Sequence, residues 1–357
     1  MKDNRIKFIS IAKAIAIISV VIGHSGAPEI IRNFVYIYHL PLFFFFSGYF
    51  QKSPNNINEL GFQIKKLLKG LYLKYLYWSI PILLFHNIFT YLYIYPIGNY
   101  YSFGDYVGKG ISMIILMGPN EDMLGAFWFL KALLICSILA IIILYVLVNI
   151  KKSNINHPHR TVAIVITTLC LTLVCSKYNL NIPGFGKAQI YGLGFSFYMT
   201  GYLCGKIDFR EAFNKLGTVQ KFGLMFLLFT ILCLCSNIDH FELVLCDWKL
   251  IFPYYIVACG GIVLMTFLSL MLEKSNPKAL CYIGNNTLTV LALHFLSFKV
   301  VSCLIIQRMR GDISQLSEFP VLIDHGYWEW IFYTTLGVGL PIILKFGYDI
   351  FAEKYQE

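Results

Sequence analysis

Residues 8–24 read FISIAKAIAIISVVIGH, and this stretch decides the fold. Its apolar length approaches the ~20 residues needed to cross a bilayer. It is longer than the apolar core of a typical signal peptide, and no small-x-small cleavage site closes it. It is therefore expected to stay in place as the first of several membrane helices. Two ionisable residues interrupt or end it, Lys13 and His24. Eleven residues of α-helix turn through about three full turns plus roughly 20° and rise ~16 Å. Lys13 and His24 thus leave one helix from nearly the same face at different depths. A cation near the bilayer centre costs ~2.5–3.5 kcal/mol on insertion scales, so such a residue asks for a functional reason.

The rest of the chain agrees with a membrane protein. Its 357 residues are 57% hydrophobic and only 13% charged, against about 25% charged in a soluble domain. Ten apolar segments are predicted to span: 8–24, 34–50, 71–94, 126–149, 161–176, 189–206, 221–237, 251–272, 286–306 and 328–349. The expected architecture is all-α, a polytopic helical bundle of about ten transmembrane helices, with residues 1–357 forming a single domain. With the amino end placed in the cytoplasm, inside segments hold 18 Lys and Arg and outside segments hold 7. That asymmetry predicts both termini inside, with Lys13 toward the cytoplasmic side and His24 toward the outer leaflet. The net charge of +10 therefore reports membrane orientation, and no nucleic-acid partner is expected. The ten cysteines lie mostly in apolar runs and form no CxxC pair, which reads as small buried hydrophobes. His157-Pro158-His159 brings two histidines together, but no further ligand follows at metal spacing, so no metal is expected.

Several motifs carry candidate chemistry. A neutral imidazole near pH 7 is the usual general base. His24 sits in Gly23-His24-Ser25-Gly26, where small neighbours leave room for a substrate. It reads either as that base or as an interfacial histidine without a task. Lys13 reads either as a fixed charge for an anionic ligand or as a side chain that snorkels to the head groups. In the second span, His39-Leu40-Pro41 opens the outer end and Ser47-Gly48-Tyr49 closes the inner end. Gly48 would let a backbone or a ligand approach closely. Lys65, Lys66 and Lys69 form a basic cluster that either marks the inner face or meets phosphates as point charges. Trp128 starts the fourth span, as interfacial tryptophans often do. Ile283-Gly284-Asn285-Asn286-Thr287 leads into the ninth span, where His294 is a mid-span histidine expected to face the bundle interior.

Taken together, these pieces resemble the integral-membrane acyltransferase-3 family, and within it the fucose 4-O-acetylase-like branch of polysaccharide O-acetyltransferases. The resemblance rests on four separated stretches: the basic residue and histidine at Lys13 and His24, the run from His39 to Tyr49, Trp128-Phe129-Leu130, and Ile283 through His294. It implies a multi-pass enzyme of the bacterial cytoplasmic membrane with no bound cofactor. Such an enzyme takes acetyl or another acyl group from cytoplasmic acyl-CoA. It delivers the group to a sugar hydroxyl of a polysaccharide or its lipid-linked precursor. By that resemblance His24 is catalytic and Lys13 helps hold the donor. Ser47, Gly48 and Tyr49 would lie near the donor. No residue stands out as the hydrogen-bond donor to an oxyanion, and Asn285 or Asn286 is the candidate apart from the resemblance. Many family members carry Arg where Lys13 stands, Asp where Ser10 stands and Gly where Ala14 stands. A Lys offers no planar fork to a phosphate. The rival classes are a glycan-lipid flippase and a non-catalytic partner of a polysaccharide synthase. A flippase would favour paired halves with broken helices, and no such pair is visible.

Overall fold

The computed structural model describes residues 2–118, 121–151, 158–238, 241–324 and 326–354; His157 lies outside them. The chain runs through α1 (Lys2–His24), α2 (Glu29–Tyr49), α3 (Ile57–Leu67), α4 (Leu73–Leu84), α5 (His86–Tyr91) and α6 (Phe103–Leu116). It continues through α7 (Trp128–Lys151), α8 (Pro158–Lys177), α9 (Ala188–Cys204), α10 (Phe209–Lys215) and α11 (Thr218–Ser236). The last four are α12 (Ile251–Glu273), α13 (Lys278–Asn285), α14 (Thr287–Met309) and α15 (Glu329–Lys354). A two-residue hairpin, β1 (Asn181–Ile182) with β2 (Gly186–Lys187), joins α8 to α9.

Among the described residues, eight helices are long and apolar enough to cross a membrane. Two of the ten expected spans are built differently. The third, 71–94, is not one helix. It begins earlier, in α3, passes through a π turn at Leu68–Tyr72 around Gly70, and leaves the helix at Phe85. Pro81 sits within α4 and supplies no N–H to the preceding turn. Just beyond Phe85, the His86 ring turns to a buried carboxylate, Glu121. The sixth, α9, has 17 residues and rises only ~26 Å, short of a ~30 Å hydrocarbon core.

The long connections carry short helices of their own. Besides α6 there are 3-10 turns at Asp122–Phe127 and Ile313–Ser317. Both turns pack against α14. Lys299, inside α14, is 3% exposed and donates from Nζ to Leu316 O at 2.8 Å and also to Glu318 O. A buried ammonium thereby ties the 313–318 segment down onto the helix.

The first helix lies at the centre, packed against α2, α12, α13, α14 and α15. Near its start, α13 touches it backbone to backbone. A Cβ on Gly284 would stand 1.7 Å from Ser10 O. Ser10 Oγ donates to Asn285 Oδ1 at 2.8 Å across the same contact. A side-chain hydrogen bond within a membrane bundle contributes about 1 kcal/mol. Ser10→Ala should therefore lower the thermal midpoint of the detergent-solubilised protein modestly. An unchanged midpoint would show that the bond contributes nothing.

The second helix crosses α9 in the same manner. A Cβ on Gly48 would meet Tyr198 O at 1.8 Å, and one on Gly201 would meet Phe45 O at 1.9 Å. Two glycines facing each other in this way let helix backbones touch, the small-residue crossing that apolar solvent favours. Ser47 Oγ returns to Phe43 O at 2.8 Å, and Tyr49 Oη donates to Ile207 O at 2.7 Å. The close approach foreseen at Gly48 is thus an approach of α9, with both neighbouring hydroxyls bonded to protein backbone.

Candidate active site

The last turn of α1 carries Gly23 and His24. Tyr36 of α2 lies over Gly23, where a Cβ would stand 2.3 Å from Tyr36 Cε1. Tyr36 Oη donates to Gly23 O at 2.9 Å. This bond satisfies one carbonyl at the helix end and fixes the turn from which His24 projects.

The His24 ring stacks on His294 of α14, with centroids 5.7 Å apart and planes 30° apart, and lies 5.1 Å from Phe295. His294 is fully buried. Its Nδ1 lies 2.9 Å from Leu291 O and 3.2 Å from Val290 O. Both partners are acceptors, so Nδ1 carries the proton, and in the neutral ring Nε2 carries a lone pair. That Nε2 is buried and without a hydrogen-bond partner. His39 of α2 follows the same pattern, with Nδ1 donating to Val35 O at 2.7 Å. Its ring lies 5.2 Å from that of Tyr36. Three imidazoles thus come from three helices at one end of α1.

A cavity of about 220 Å³ opens beside them. His24 and His39 line it, together with Tyr36, Trp128, Leu291 and Glu242. Glu242 belongs to the connection between α11 and α12. That connection is tied to α9, since Gln189 Nε2 donates to Val244 O at 2.9 Å.

Of the residues singled out from sequence, the structure brings together His24, His39, Trp128 and His294. The others lie elsewhere. Lys13 is half-buried three turns down α1, ~16 Å along the axis from His24. Asn285 bonds Ser10. Asn286 Nδ2 returns to Tyr282 O at 2.9 Å in the break between α13 and α14. Lys69 is exposed on the π turn, an element frequent at functional sites. The turn and α3, with its exposed Lys65 and Lys66, pack on α7. Phe8 at the start of α1 lies 6.4 Å from Phe46 near the end of α2. The chain enters α3 directly after that end. The basic cluster therefore falls at the opposite end of α1 from the three histidines.

The cavity leaves room for a reactive group beside His24. An imidazole lone pair there can take a proton from a hydroxyl held in the cavity. The model of the acyltransferase domain matches residues 6–346, nearly the whole chain. The chain belongs to the acyltransferase-3 family. No curated protein and no solved structure matches it. This acyltransferase is a multi-pass membrane protein, and the match runs from the first turns of α1 into α15, so it includes every helix that contributes to the His24 cavity.

Sequence reasoning missed Tyr36 and Glu242. Tyr36 stands three residues before His39 and so shares its helix face, a signal that was available. Glu242 lies in Phe241-Glu242-Leu243-Val244-Leu245, where apolar residues flank the carboxylate on both sides.

Proposed function

We propose that this acyltransferase moves an acetyl group from cytoplasmic acetyl-CoA to a sugar hydroxyl of a polysaccharide or its lipid-linked precursor, with His24 as general base. The cavity that exposes His24 beside His39 and Trp128 is the observation that carries the reading. In this mechanism the sugar hydroxyl enters the cavity and His24 takes its proton as the oxygen attacks the thioester carbonyl. The new C–O bond forms and the C–S bond breaks. The CoA thiolate leaves and recovers the proton from the imidazolium. His39 and His294 enclose the reacting ring.

The donor occupies the opposite end of α1. Its phosphates meet Lys65, Lys66 and Lys69, and Lys13 lies between that cluster and His24. In this reading the protein is a single domain of ten crossings, with α4 and α9 counted among them. Both termini face the cytoplasm of a bacterial cell, and the protein sits with the fucose 4-O-acetylase-like branch.

The test is acetyl-CoA-dependent release of free CoA by the purified protein on addition of a sugar acceptor. No release with any acceptor would sink the proposal. Lys13 has its own comparison. If it holds the donor, Lys13→Arg keeps a lower donor KM than Lys13→Ala. Equal donor KM in wild type and both variants would leave Lys13 as a snorkelling side chain.

A further inference from the structure

An imidazole has two nitrogens, and acyl transfer as described uses only one of those on His24. A general base gains from a second group that holds its other N–H. That group fixes the tautomer and the ring orientation, and stabilises the imidazolium as it forms. Among the described residues, no hydrogen bond reaches the His24 ring. Its neighbours therefore decide what can hold it.

His294 is the neighbour with an unmet acceptor. It lies on α14, 0% exposed, behind the lining of the His24 cavity. Its Nδ1–H is taken by Leu291 O and Val290 O, which leaves the lone pair on Nε2. That atom is buried and has no hydrogen-bond partner. Buried polar atoms in this state are costly and rare. The other rings against His294 belong to Phe295, at 4.0 Å between centroids, and Phe298, at 5.6 Å. Neither carries an N–H or an O–H. His24 carries an N–H, and its ring lies 5.7 Å away.

The separation of the two imidazoles suits a bond from edge to edge. Atoms in face-to-face contact lie ~3.5–4.0 Å apart, so centroids at 5.7 Å with planes 30° apart describe an offset stack. From there a turn of the His24 ring about χ2, a soft torsion in histidine, carries a nitrogen toward His294 Nε2. Catalytic hydrogen bonds are often long in a free enzyme and tighten once substrate is bound. His39 makes the contrast. Its Nδ1 also donates to its own helix, at Val35 O, but its ring lines the cavity, where substrate or water can meet Nε2.

We propose that His294 is the positioning residue for the base: its Nε2 accepts the His24 N–H that faces away from the cavity. His24 is then held in the tautomer whose lone pair meets the sugar hydroxyl. As that lone pair takes the hydroxyl proton, the ring becomes an imidazolium and its bond to His294 becomes charge-assisted, roughly twice as strong as a neutral one. The proton returns to the departing CoA thiolate from the same nitrogen, and His294 keeps its own Nδ1 proton throughout. A neutral imidazole thus stands where a carboxylate orients the base in a Ser-His-Asp triad. In an apolar bundle that choice orients the base without burying a charge before the reaction begins. The proposal rests on His24 as general base and adds the group behind it.

The test compares His294→Gln, which keeps an acceptor near the position of Nε2, with His294→Leu, which fills the site and has none. Both are made in the full-length protein, purified in detergent, beside His24→Gln. Turnover is measured with acetyl-CoA and a sugar acceptor. His294→Leu should lose about tenfold to a hundredfold in kcat, the range of a hydrogen bond to a charged group, with donor and acceptor KM little changed. His294→Gln should recover most of that loss. Wild-type kcat in His294→Leu, equal losses in the two variants, or a loss carried by KM would each overturn the pairing. The ring-nitrogen NMR spectrum of histidine-labelled protein reads the bond without relying on those variants. It compares wild type with His24→Phe, which keeps a ring and loses the N–H. The His294 Nε2 resonance should lie at the position of a hydrogen-bonded lone pair in wild type and move to that of a free one in His24→Phe. A resonance that stays in place would overturn the pairing. The base and the pairing fail separately. An inactive His24→Gln beside a fully active His294→Leu keeps the base and ends the pairing. A resonance that moves in a protein with no transfer to any acceptor sustains the pairing and ends the acyl-transfer reading. Wild-type turnover by His24→Gln ends the base and the positioning role together.

Discussion

His24→Ala protein should turn over acetyl-CoA in the presence of a sugar acceptor at least about a hundredfold more slowly than wild type, because a positioned general base contributes ~10²–10⁴-fold. The loss should fall on kcat, with little change in donor KM, because the basic cluster lies at the other end of α1. Two neighbours sharpen the interpretation. His294 and Phe295 pack on the His24 ring at 5.7 Å and 5.1 Å, so removing the ring also opens a gap. His24→Gln fills more of that gap and lacks the basic nitrogen. Both variants should be inactive, and Gln should melt closer to wild type. Wild-type turnover by either variant, at normal expression, would remove His24 from the mechanism. His39 would then be the next base to test, since its Nδ1 bond to Val35 O leaves Nε2 as the lone-pair nitrogen.

Gly48→Ala should be, with Gly284→Ala, among the most damaging single methyls in the molecule outside the site. The new Cβ would stand 1.8 Å from Tyr198 O and 2.7 Å from Tyr198 C. Those are backbone atoms of α9, so no rotamer change relieves the clash and the two helices must part. Overpacking of this kind costs about 1–3 kcal/mol, and parting also loosens Gly201 against Phe45 O on the same crossing. A fall in thermal midpoint and in monodisperse yield is expected. Gly223→Ala is the control. It lies in α11, and its Cβ would meet nothing within 4 Å. It should be neutral or stabilising by up to ~1 kcal/mol, as Gly to Ala is in a helix. Equal stability of the two variants would contradict the crossing.

The membrane helices were legible wherever hydropathy is a local property. The first span was expected to end at His24, and α1 ends there. The ninth was expected over 286–306, and α14 runs Thr287–Met309. The third was misread because its apolar run hides a break that no window of hydropathy registers. His86 leaves the helix line for Glu121, 35 residues away, and the pairing exists only in three dimensions. The candidate site divides along the same line. Lys13 and His24 were readable because one helix relates them by simple arithmetic. The stacking of His24 on His294 was not, since it depends on how α1 and α14 pack. Ser47-Gly48-Tyr49 shows the opposite hazard. Small and hydroxylic residues suit a ligand or a helix crossing equally well; Gly48 lies in the crossing with α9, while Ser47 bonds its own helix at Phe43 O and Tyr49 bonds Ile207 O just beyond α9. Glu242 and the pairing of His86 with Glu121 come from connecting segments, where no periodicity marks which side chains converge.

The central helix has one more consequence. Backbone of α13 presses on it at Ser10, and the Tyr36 ring presses on it at Gly23, ~20 Å further along. A rod clamped at both ends cannot slide, tilt or turn without breaking one clamp. His24 therefore projects from a helix that is held by close contact at both of its ends. The segment that brings Glu242 to the same cavity is held as well, fastened to the bundle by Gln189 through Val244 O and Cys246 O, so both walls of the His24 cavity are fixed by bonds from outside it.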